Sequence, residues 1–176
     1  YNAWFFVAIG FFLWQGFKGR DTLLRQQFLL AYLLCWGVGA CLLATLFSSV
    51  GPAFYGRLLP GADPYAGLMS YLAEADRHYP IWALRAQDVL WNSYVTAHGE
   101  IAGIAAMPSM HVGTSALFFI YARAAGIRWL AWATGAFALV IMLGSVLLAW
   151  HYAIDGYAGA LVAIACWHAA GRIVKW

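Results

Sequence analysis

Five long apolar stretches constrain the fold of this chain more than any other feature. They cover residues 1–17, about 27–50, about 109–124, about 127–150 and about 155–173. Each is close to the ~20 residues that an α-helix needs to cross a bilayer. The sequence therefore predicts an all-α fold, a polytopic transmembrane helix bundle with five visible spans.

The composition supports a surface that faces lipid. The chain is 64% hydrophobic and only 10% charged, whereas a soluble domain has roughly a quarter of its residues charged. Ten Trp, ten Tyr and eleven Phe suit a protein whose aromatic side chains gather at membrane interfaces. The net charge of +3 is spread over many loops, and so offers no basic patch for nucleic acid. We expect the lipid bilayer as a partner and no nucleic acid.

We treat residues 1–176 as one membrane domain. Tyr1 opens directly in an apolar stretch and no initiator Met is present, so we expect the chain to begin partway through a longer protein with six spans. Its three cysteines, Cys35, Cys41 and Cys166, lie inside apolar runs and are predicted to be small buried hydrophobes.

Residues 51–108 differ from the rest of the chain. This segment holds all five prolines, and residues 63–78 and 81–94 each read as a short amphipathic helix bounded by Pro60 or Pro80. Neither helix is apolar enough to span a bilayer. We predict a short helical cap that lies at the membrane interface over one end of the bundle.

The distribution of basic residues predicts the orientation, because cytoplasmic loops carry more Lys and Arg. If the second span leads outward, three basic residues lie outside and seven inside. The outer set is Arg57, Arg77 and Arg85, and the inner set is Lys18, Arg20, Arg25, Arg123, Arg128, Arg172 and Lys175. The cap is then extracytoplasmic.

Two histidines are predicted to meet at the outer end of the bundle. His111 begins the third span and His151 ends the fourth, and an up-and-down bundle brings these ends to one membrane face. Asp155 follows His151 by one helical turn, so that its carboxylate can reach the imidazole. Ionisable groups beside a membrane are costly unless they are paired or used, which favours a functional site.

The residues around His111 indicate an anion site. Pro108 and Ser109 stand where the third span begins, and Ser109 is predicted to cap that helix. The free amides and positive dipole of a helix start attract anions. Phosphate is the natural candidate.

The motifs Pro108-Ser109-Met110-His111 and His151-Tyr152-Ala153-Ile154-Asp155 resemble the second and third signature motifs of the type 2 phosphatidic acid phosphatase superfamily. The flanking pattern looks closest to the branch of the inositol phosphorylceramide synthases and related bacterial proteins. The resemblance implies that His151 is the nucleophile, that Asp155 holds its tautomer, and that His111 is the acid and base. It also implies that Ser109 binds the phosphate and that no metal or cofactor is needed. We expect a bacterial inner membrane protein, with the site on the extracytoplasmic face that the count of basic residues predicts.

Two departures from the family pattern leave the positive partners of the phosphate unassigned. The first motif, Lys-x6-Arg-Pro, is absent, and Ser145 stands where the phosphatases carry an Arg six residues before the nucleophile. The synthase branch similarly lacks that Arg. We predict Arg77 or Arg85 as the phosphate-binding cation.

Several functions remain open at this point. The same residues serve a lipid phosphate phosphatase, with water as acceptor, or a headgroup phosphotransferase, with an alcohol as acceptor. A metal-dependent hydrolase and a transporter are the other classes that we considered, and a homo-oligomer is compatible with either enzyme. His78 and His98 are predicted to lie on the cap surface, and His168 to serve in packing.

Overall fold

The computed structural model describes residues 1–17, 22–96 and 104–175. Of the described residues, 79% are helical and none lies in a strand. An isolated antiparallel bridge joins Val50 and Ala105. The predicted all-α class is therefore confirmed.

Seven helices of ten residues or more form the described part of the chain. They are α1 (Trp4–Phe17), α2 (Leu23–Leu46), α3 (Ala66–His78), α4 (Trp82–Thr96), α5 (Met110–Ala124), α6 (Arg128–Leu147) and α7 (Ala153–Val174). The middle of α2, Cys35–Leu43, is π-helical. Two short helical segments, Pro52–Phe54 and Tyr55–Leu58, follow α2.

Three of the described helices, α2, α6 and α7, are long and apolar enough to cross a membrane. Helix α1 has 14 residues and α5 has 15, so both are shorter than the ~20 residues of a full span. Of the five predicted stretches, three are therefore helices of full spanning length, and two are shorter. Helix α2 begins about one turn earlier than predicted, because Thr22 caps its start by accepting a hydrogen bond from Arg25 N. It also ends about one turn earlier, at Leu46.

A glycine reverses the chain between α5 and α6. Gly126 has a φ of +70°, a conformation that glycine adopts without steric cost. The amide of Ile127 donates to the carbonyl of Ala122 at 3.1 Å, across the turn. Helix α6 therefore returns to the membrane face at which α5 began, and α7 leaves that face again.

Helix α5 is the centre of the bundle and packs against α2, α6 and α7. Its contact with α7 depends on glycine: a Cβ at Gly113 would lie 2.8 Å from the carbonyl oxygen of Gly159, and one at Gly159 would collide with the carbonyl of Ser109. Such close approach through glycine is typical of membrane helices. Tyr121 and Phe118 of α5 fill the core.

The outer surface of the bundle is apolar. On α6, the side chains of Trp132, Leu139 and Leu143 are each more than half exposed. Large apolar side chains in such numbers fit a surface that lipid covers. His168 of α7 is also exposed, so the prediction that it serves in packing is wrong.

The two amphipathic helices of residues 51–108 are present as α3 and α4. They form a small apolar cluster of their own in which Leu72 packs with Ala53, Phe54 and Ala149. Ala149 belongs to the connection between α6 and α7, so this cluster joins the cap to the bundle. Lys18, Arg20 and His98 lie outside the described residues, and the sidedness of the cap stays a prediction.

Candidate active site

His111 and His151 lie side by side at one end of the bundle. His111 is in the first turn of α5, and His151 lies in the connection between α6 and α7. Their ring centroids are 6.2 Å apart and their planes are inclined by 55°. Reacting atoms approach to about 3 Å before bond formation, so that rings at this separation can flank a single phosphorus atom.

Backbone hydrogen bonds hold the turn that carries His151. The amides of Trp150 and His151 both donate to the carbonyl of Ser145, at 3.0 and 3.1 Å, and the carbonyl of Ala149 accepts from Ala53 N at 2.9 Å. Ala149 is fully buried and has a φ of 59°, which is unfavourable for a residue with a Cβ. The surrounding contacts must therefore maintain this turn.

The cap braces the same turn from the other side. Gln87 of α4 is 3% exposed, and its Nε2 donates to the carbonyl of Leu148 at 2.8 Å. Gly51 passes so close to the turn that a Cβ there would collide with the carbonyl of Trp150. The position of His151 thus depends on residues from α6, from the segment after α2 and from α4.

A backbone carbonyl orients the imidazole of His151. Its Nδ1 lies 2.7 Å from the carbonyl oxygen of Ala106, and because a carbonyl only accepts, Nδ1 must carry the proton. Nε2 then holds the free lone pair. The Oδ2 of Asp155 is 3.8 Å from Nδ1, which is longer than a hydrogen bond. The resemblance implied Asp155 in this role, and the structure gives the hydrogen bond to Ala106 instead.

The environment of His151 favours the neutral ring. Burial lowers the pKa of His151 below its usual value, and the hydrogen bond to Ala106 opposes part of that shift. A histidine with a lowered pKa is uncharged near pH 7. Its Nε2 is then available as a nucleophile.

Asp155 connects the two motifs and starts α7. It is 1% exposed, and its Oδ2 accepts a hydrogen bond from Tyr152 N at 2.8 Å. Its backbone carbonyl accepts from Ser109 N at 2.9 Å. The carboxylate therefore fixes the helix start directly after His151, and the backbone of the same residue holds the segment that precedes His111.

Ser109 stands at the N-cap position of α5, as predicted, but its side chain does not cap the helix. The hydroxyl is fully buried and finds no hydrogen-bond partner among the described residues. The predicted side-chain cap is wrong: the segment is held by the backbone hydrogen bond from Ser109 N to the Asp155 carbonyl, and Oγ makes no hydrogen bond to the first turn of α5. A buried hydroxyl without a partner is unfavourable by about 1–3 kcal/mol, and a bound polar group would remove that penalty.

Aromatic side chains surround His111, a feature that the sequence did not indicate. The rings of Trp4 and Tyr1 have centroids 4.3 and 4.6 Å from that of His111, and Phe5 approaches edge-on at 5.8 Å. The Oη of Tyr1 and the Nε1 of nearby Trp150 are buried, and neither has a hydrogen-bond partner in the part of the chain that the structure describes. Two buried polar atoms without a partner among the described residues therefore lie in the aromatic cluster around His111.

The predicted phosphate-binding arginines lie elsewhere. Arg77 pairs with Glu74 at 3.0 Å on the exposed side of α3, and Arg85 stacks over the ring of Trp82 on the exposed side of α4. Arg57 pairs with Asp88 at 3.2 Å. These contacts hold the cations on the cap surface, and the structure does not bring them to the histidine pair.

Comparison with known proteins agrees with the motifs. A family model described as the PAP2 superfamily matches residues 1–169, a range that includes the whole histidine site. No curated protein and no solved structure matches the chain. Members of the superfamily are phosphatases and phosphotransferases, which together with the apolar helices supports an integral membrane enzyme that acts on phosphoesters. The chain therefore belongs to the PAP2 superfamily.

Proposed function

We propose that this protein is an integral membrane phosphatase that cleaves a lipid phosphoester through a phosphohistidine intermediate on His151. The observation that supports this most is the arrangement of the histidine pair. The rings lie 6.2 Å apart, and the Ala106 carbonyl binds Nδ1 of His151, which leaves Nε2 as the nucleophilic atom.

In the first step, the lone pair of His151 Nε2 attacks phosphorus. The nitrogen–phosphorus bond forms as the bond between phosphorus and the lipid oxygen breaks. His111 gives its proton to the departing oxygen, so that the lipid leaves as a neutral alcohol. The negative charge of the bound phosphate favours the protonated form of His111 before the reaction.

In the second step, His111 takes a proton from water as the water oxygen attacks phosphorus. The oxygen–phosphorus bond forms, the nitrogen–phosphorus bond breaks and its electron pair returns to His151 Nε2. Inorganic phosphate leaves, and both histidines regain their starting protonation states. One water is consumed for each ester bond cleaved.

Two neighbouring groups stabilise charge in this scheme. The imidazole of His151 becomes positive when it binds phosphorus, and the buried carboxylate of Asp155, 3.8 Å from Nδ1, offsets that charge. The unpartnered Oγ of Ser109 donates to a phosphoryl oxygen. A buried hydroxyl without a partner among the described residues is what we expect of a group that donates to a bound anion.

A lipid is the substrate that best fits the surroundings. The histidine pair lies at one end of a bundle with three helices able to cross a membrane, beneath a cap of amphipathic helices. Large exposed apolar side chains cover the bundle, so that acyl chains can remain in the bilayer while the headgroup enters the site. The excess of basic residues at the opposite end favours an extracytoplasmic site, in a bacterial inner membrane.

A phosphotransferase of the inositol phosphorylceramide synthase type is the second candidate, because an alcohol can replace water in the second step. Ser145 supports it: this residue is fully buried, and its Oγ donates to the Met142 carbonyl. Its own carbonyl accepts both amides of the His151 turn. The position that holds Arg in the phosphatases is thus occupied here by a small structural residue.

Turnover of a labelled lipid phosphate tests the proposal and separates the two candidates. Purified protein is incubated with phosphatidic acid, with and without inositol or diacylglycerol, and the products are identified by mass spectrometry. We expect release of inorganic phosphate, lost by roughly 10³-fold or more in His151→Ala and unchanged in His78→Ala, whose ring lies on the exposed surface of α3 beside Glu74. Transfer to an added acceptor in place of phosphate release would favour the synthase, and full turnover in His151→Ala would contradict both.

The same purified protein also allows the metal-dependent hydrolase and the transporter to be tested. Among the described residues, no group of three His, Cys, Asp or Glu is arranged to hold a metal ion. We expect full activity in excess chelator; loss of activity that zinc restores would favour a metal-dependent hydrolase. Transport of an intact solute by reconstituted protein, without phosphate release, would favour a transporter.

A further inference from the structure

A cavity of about 540 Å³ opens at the end of the bundle opposite the histidine pair. Its walls come from the start of α2, with Leu24 and Gln27, and from the last turns of α7. Its size lies within the range of small-ligand sites in proteins. The proposed phosphatase reaction makes no use of it.

Basic side chains line one wall of this cavity. His168, Arg172 and Lys175 are spaced by four and then three residues along α7, which places all three on one face of that helix. All three are exposed. No Asp or Glu stands among the described residues that line the cavity, so the wall that these residues form is basic.

The rest of the cavity lining, from α2 and α7, is closely packed and partly apolar. Gln27 Nε2 donates to the carbonyl of Trp167 at 3.0 Å, which joins α2 to α7. A Cβ at Gly171 would lie 2.5 Å from that same nitrogen, so glycine permits this approach. Trp167 and Leu24 supply apolar surface beneath the charged groups. A ligand with an anionic head and an apolar body matches these walls.

The cavity and the histidine pair lie at different membrane faces. Arg172 follows Asp155 by seventeen positions along α7, and at a rise of ~1.5 Å per residue this is roughly 25 Å. The hydrocarbon core of a bilayer is about 30 Å thick. The basic wall therefore lies at the interface of the leaflet that the proposed active site does not use.

Basic residues near a helix C-terminus also complement its dipole, but that effect requires neither a cavity nor a shared face. We infer that the cavity binds the anionic headgroup of a phospholipid from the leaflet opposite the histidine site, with Arg172 and Lys175 as phosphate partners. Basic pockets between membrane helices recognise anionic lipids in this way. The glycerol backbone and acyl chains contact Leu24 and Trp167.

Native mass spectrometry of the detergent-solubilised protein tests this site. Phosphatidylglycerol and phosphatidylcholine are titrated separately, and soluble glycerol 3-phosphate forms a third arm. We expect one phosphatidylglycerol retained per chain, with binding roughly 25-fold weaker in Arg172→Gln/Lys175→Gln, since each basic side chain at a membrane surface contributes about fivefold. The matched control is Arg123→Gln/Arg128→Gln, which removes two exposed basic residues that do not line the cavity.

Two further comparisons separate this site from the active site and from a soluble ligand. Replacement of both His111 and His151 by Ala should leave lipid retention unchanged. Equal retention of phosphatidylcholine by the unmodified protein, equal loss in the control pair, or equally tight binding of glycerol 3-phosphate would each overturn the inference. The first and third of these outcomes need no variant to fold.

Discussion

The turn that carries His151 and the basic face of the cap lie at the same end of the molecule but are held in different ways. Hydrogen bonds from Ala53, Gln87 and the backbone of α6 fix the His151 turn, and its imidazole is almost fully buried. Arg77 and Arg85 extend from exposed positions on α3 and α4, and Arg77 is 76% exposed in its pair with Glu74.

This difference shows that a positive charge alone does not identify a residue of the site. Charge alone made the cap arginines candidates for binding phosphate, whereas burial and backbone geometry distinguish the histidine turn. A catalytic group must be held to within a fraction of an ångström. An exposed arginine that is paired with a surface carboxylate, such as Arg77, is not held in this way. The buried polar atoms of Ser109, Tyr1 and Trp150, which have no partner among the described residues, are the phosphate donors that we propose in place of these arginines.

Removal of the second imidazole should produce the largest effect after that of the nucleophile. In His111→Gln we expect turnover to fall by roughly 10²–10⁴-fold, the usual contribution of a general acid and base. Steady-state hydrolysis of phosphatidic acid measures this. A substrate with a better leaving group, such as a nitrophenyl phosphate ester, should lose less, since it needs no proton. An equal loss with both substrates would contradict the acid role.

The pH profile should follow the neutral form of His151. Burial lowers the pKa of His151, so its nucleophilic form persists as pH falls through 6.5, the usual value in an unfolded chain. We expect kcat/KM to drop about tenfold per pH unit only below that lowered pKa. Folding stability should also fall as pH drops below about 6.5, because protonation then favours the unfolded chain. An acidic limb centred above pH 6.5 would contradict the burial argument.

Ser109→Ala tests whether the buried hydroxyl binds substrate or supports the helix. We expect a roughly tenfold loss of turnover, as for one hydrogen bond to a charged group. Thermal stability should be unchanged or slightly raised, because Oγ has no partner among the described residues. A helix cap would instead be worth about 1 kcal/mol, so a clear drop in Tm with normal turnover would reverse the assignment.

The cap arginines should show the smallest effect. In Arg77→Ala and in Arg85→Ala we expect turnover within about twofold of the unmodified protein, because both side chains are exposed on the cap, Arg77 beside Glu74 and Arg85 over Trp82, where a surface contact contributes only about 0–1 kcal/mol. The measurement is made at low ionic strength, where salt screens these charges least. A tenfold rise in KM for either variant would indicate that the replaced arginine binds the phosphate.

Much of the architecture follows from the sequence, because lipid imposes simple length and hydropathy rules. The apolar stretches predicted the spanning helices, and the alternating direction of consecutive helices predicted that His111 and His151 meet at one face. These features depend on side-chain type and spacing, which a sequence displays directly.

Other features depend on long-range geometry, which leaves no local signal. The carbonyl of Ala106 orients His151, but every residue has a carbonyl and only the fold selects this one. The side chain of Ser109 does not cap α5, because Asp155 holds the backbone of that segment. The aromatic rings of Tyr1 and Trp4 meet His111 only because α1 packs beside α5 with that face inward.

Peptide mapping of the trapped phosphoenzyme tests the central proposal most directly. Protein mixed briefly with ³²P-labelled phosphatidic acid is quenched at alkaline pH, where phosphohistidine survives, and its peptides are analysed by mass spectrometry. We predict phosphate on the peptide that contains His151, at the Nε2 position and absent from His151→Ala. Phosphate on His111 or on Ser109, or turnover without any labelled peptide, would contradict the account.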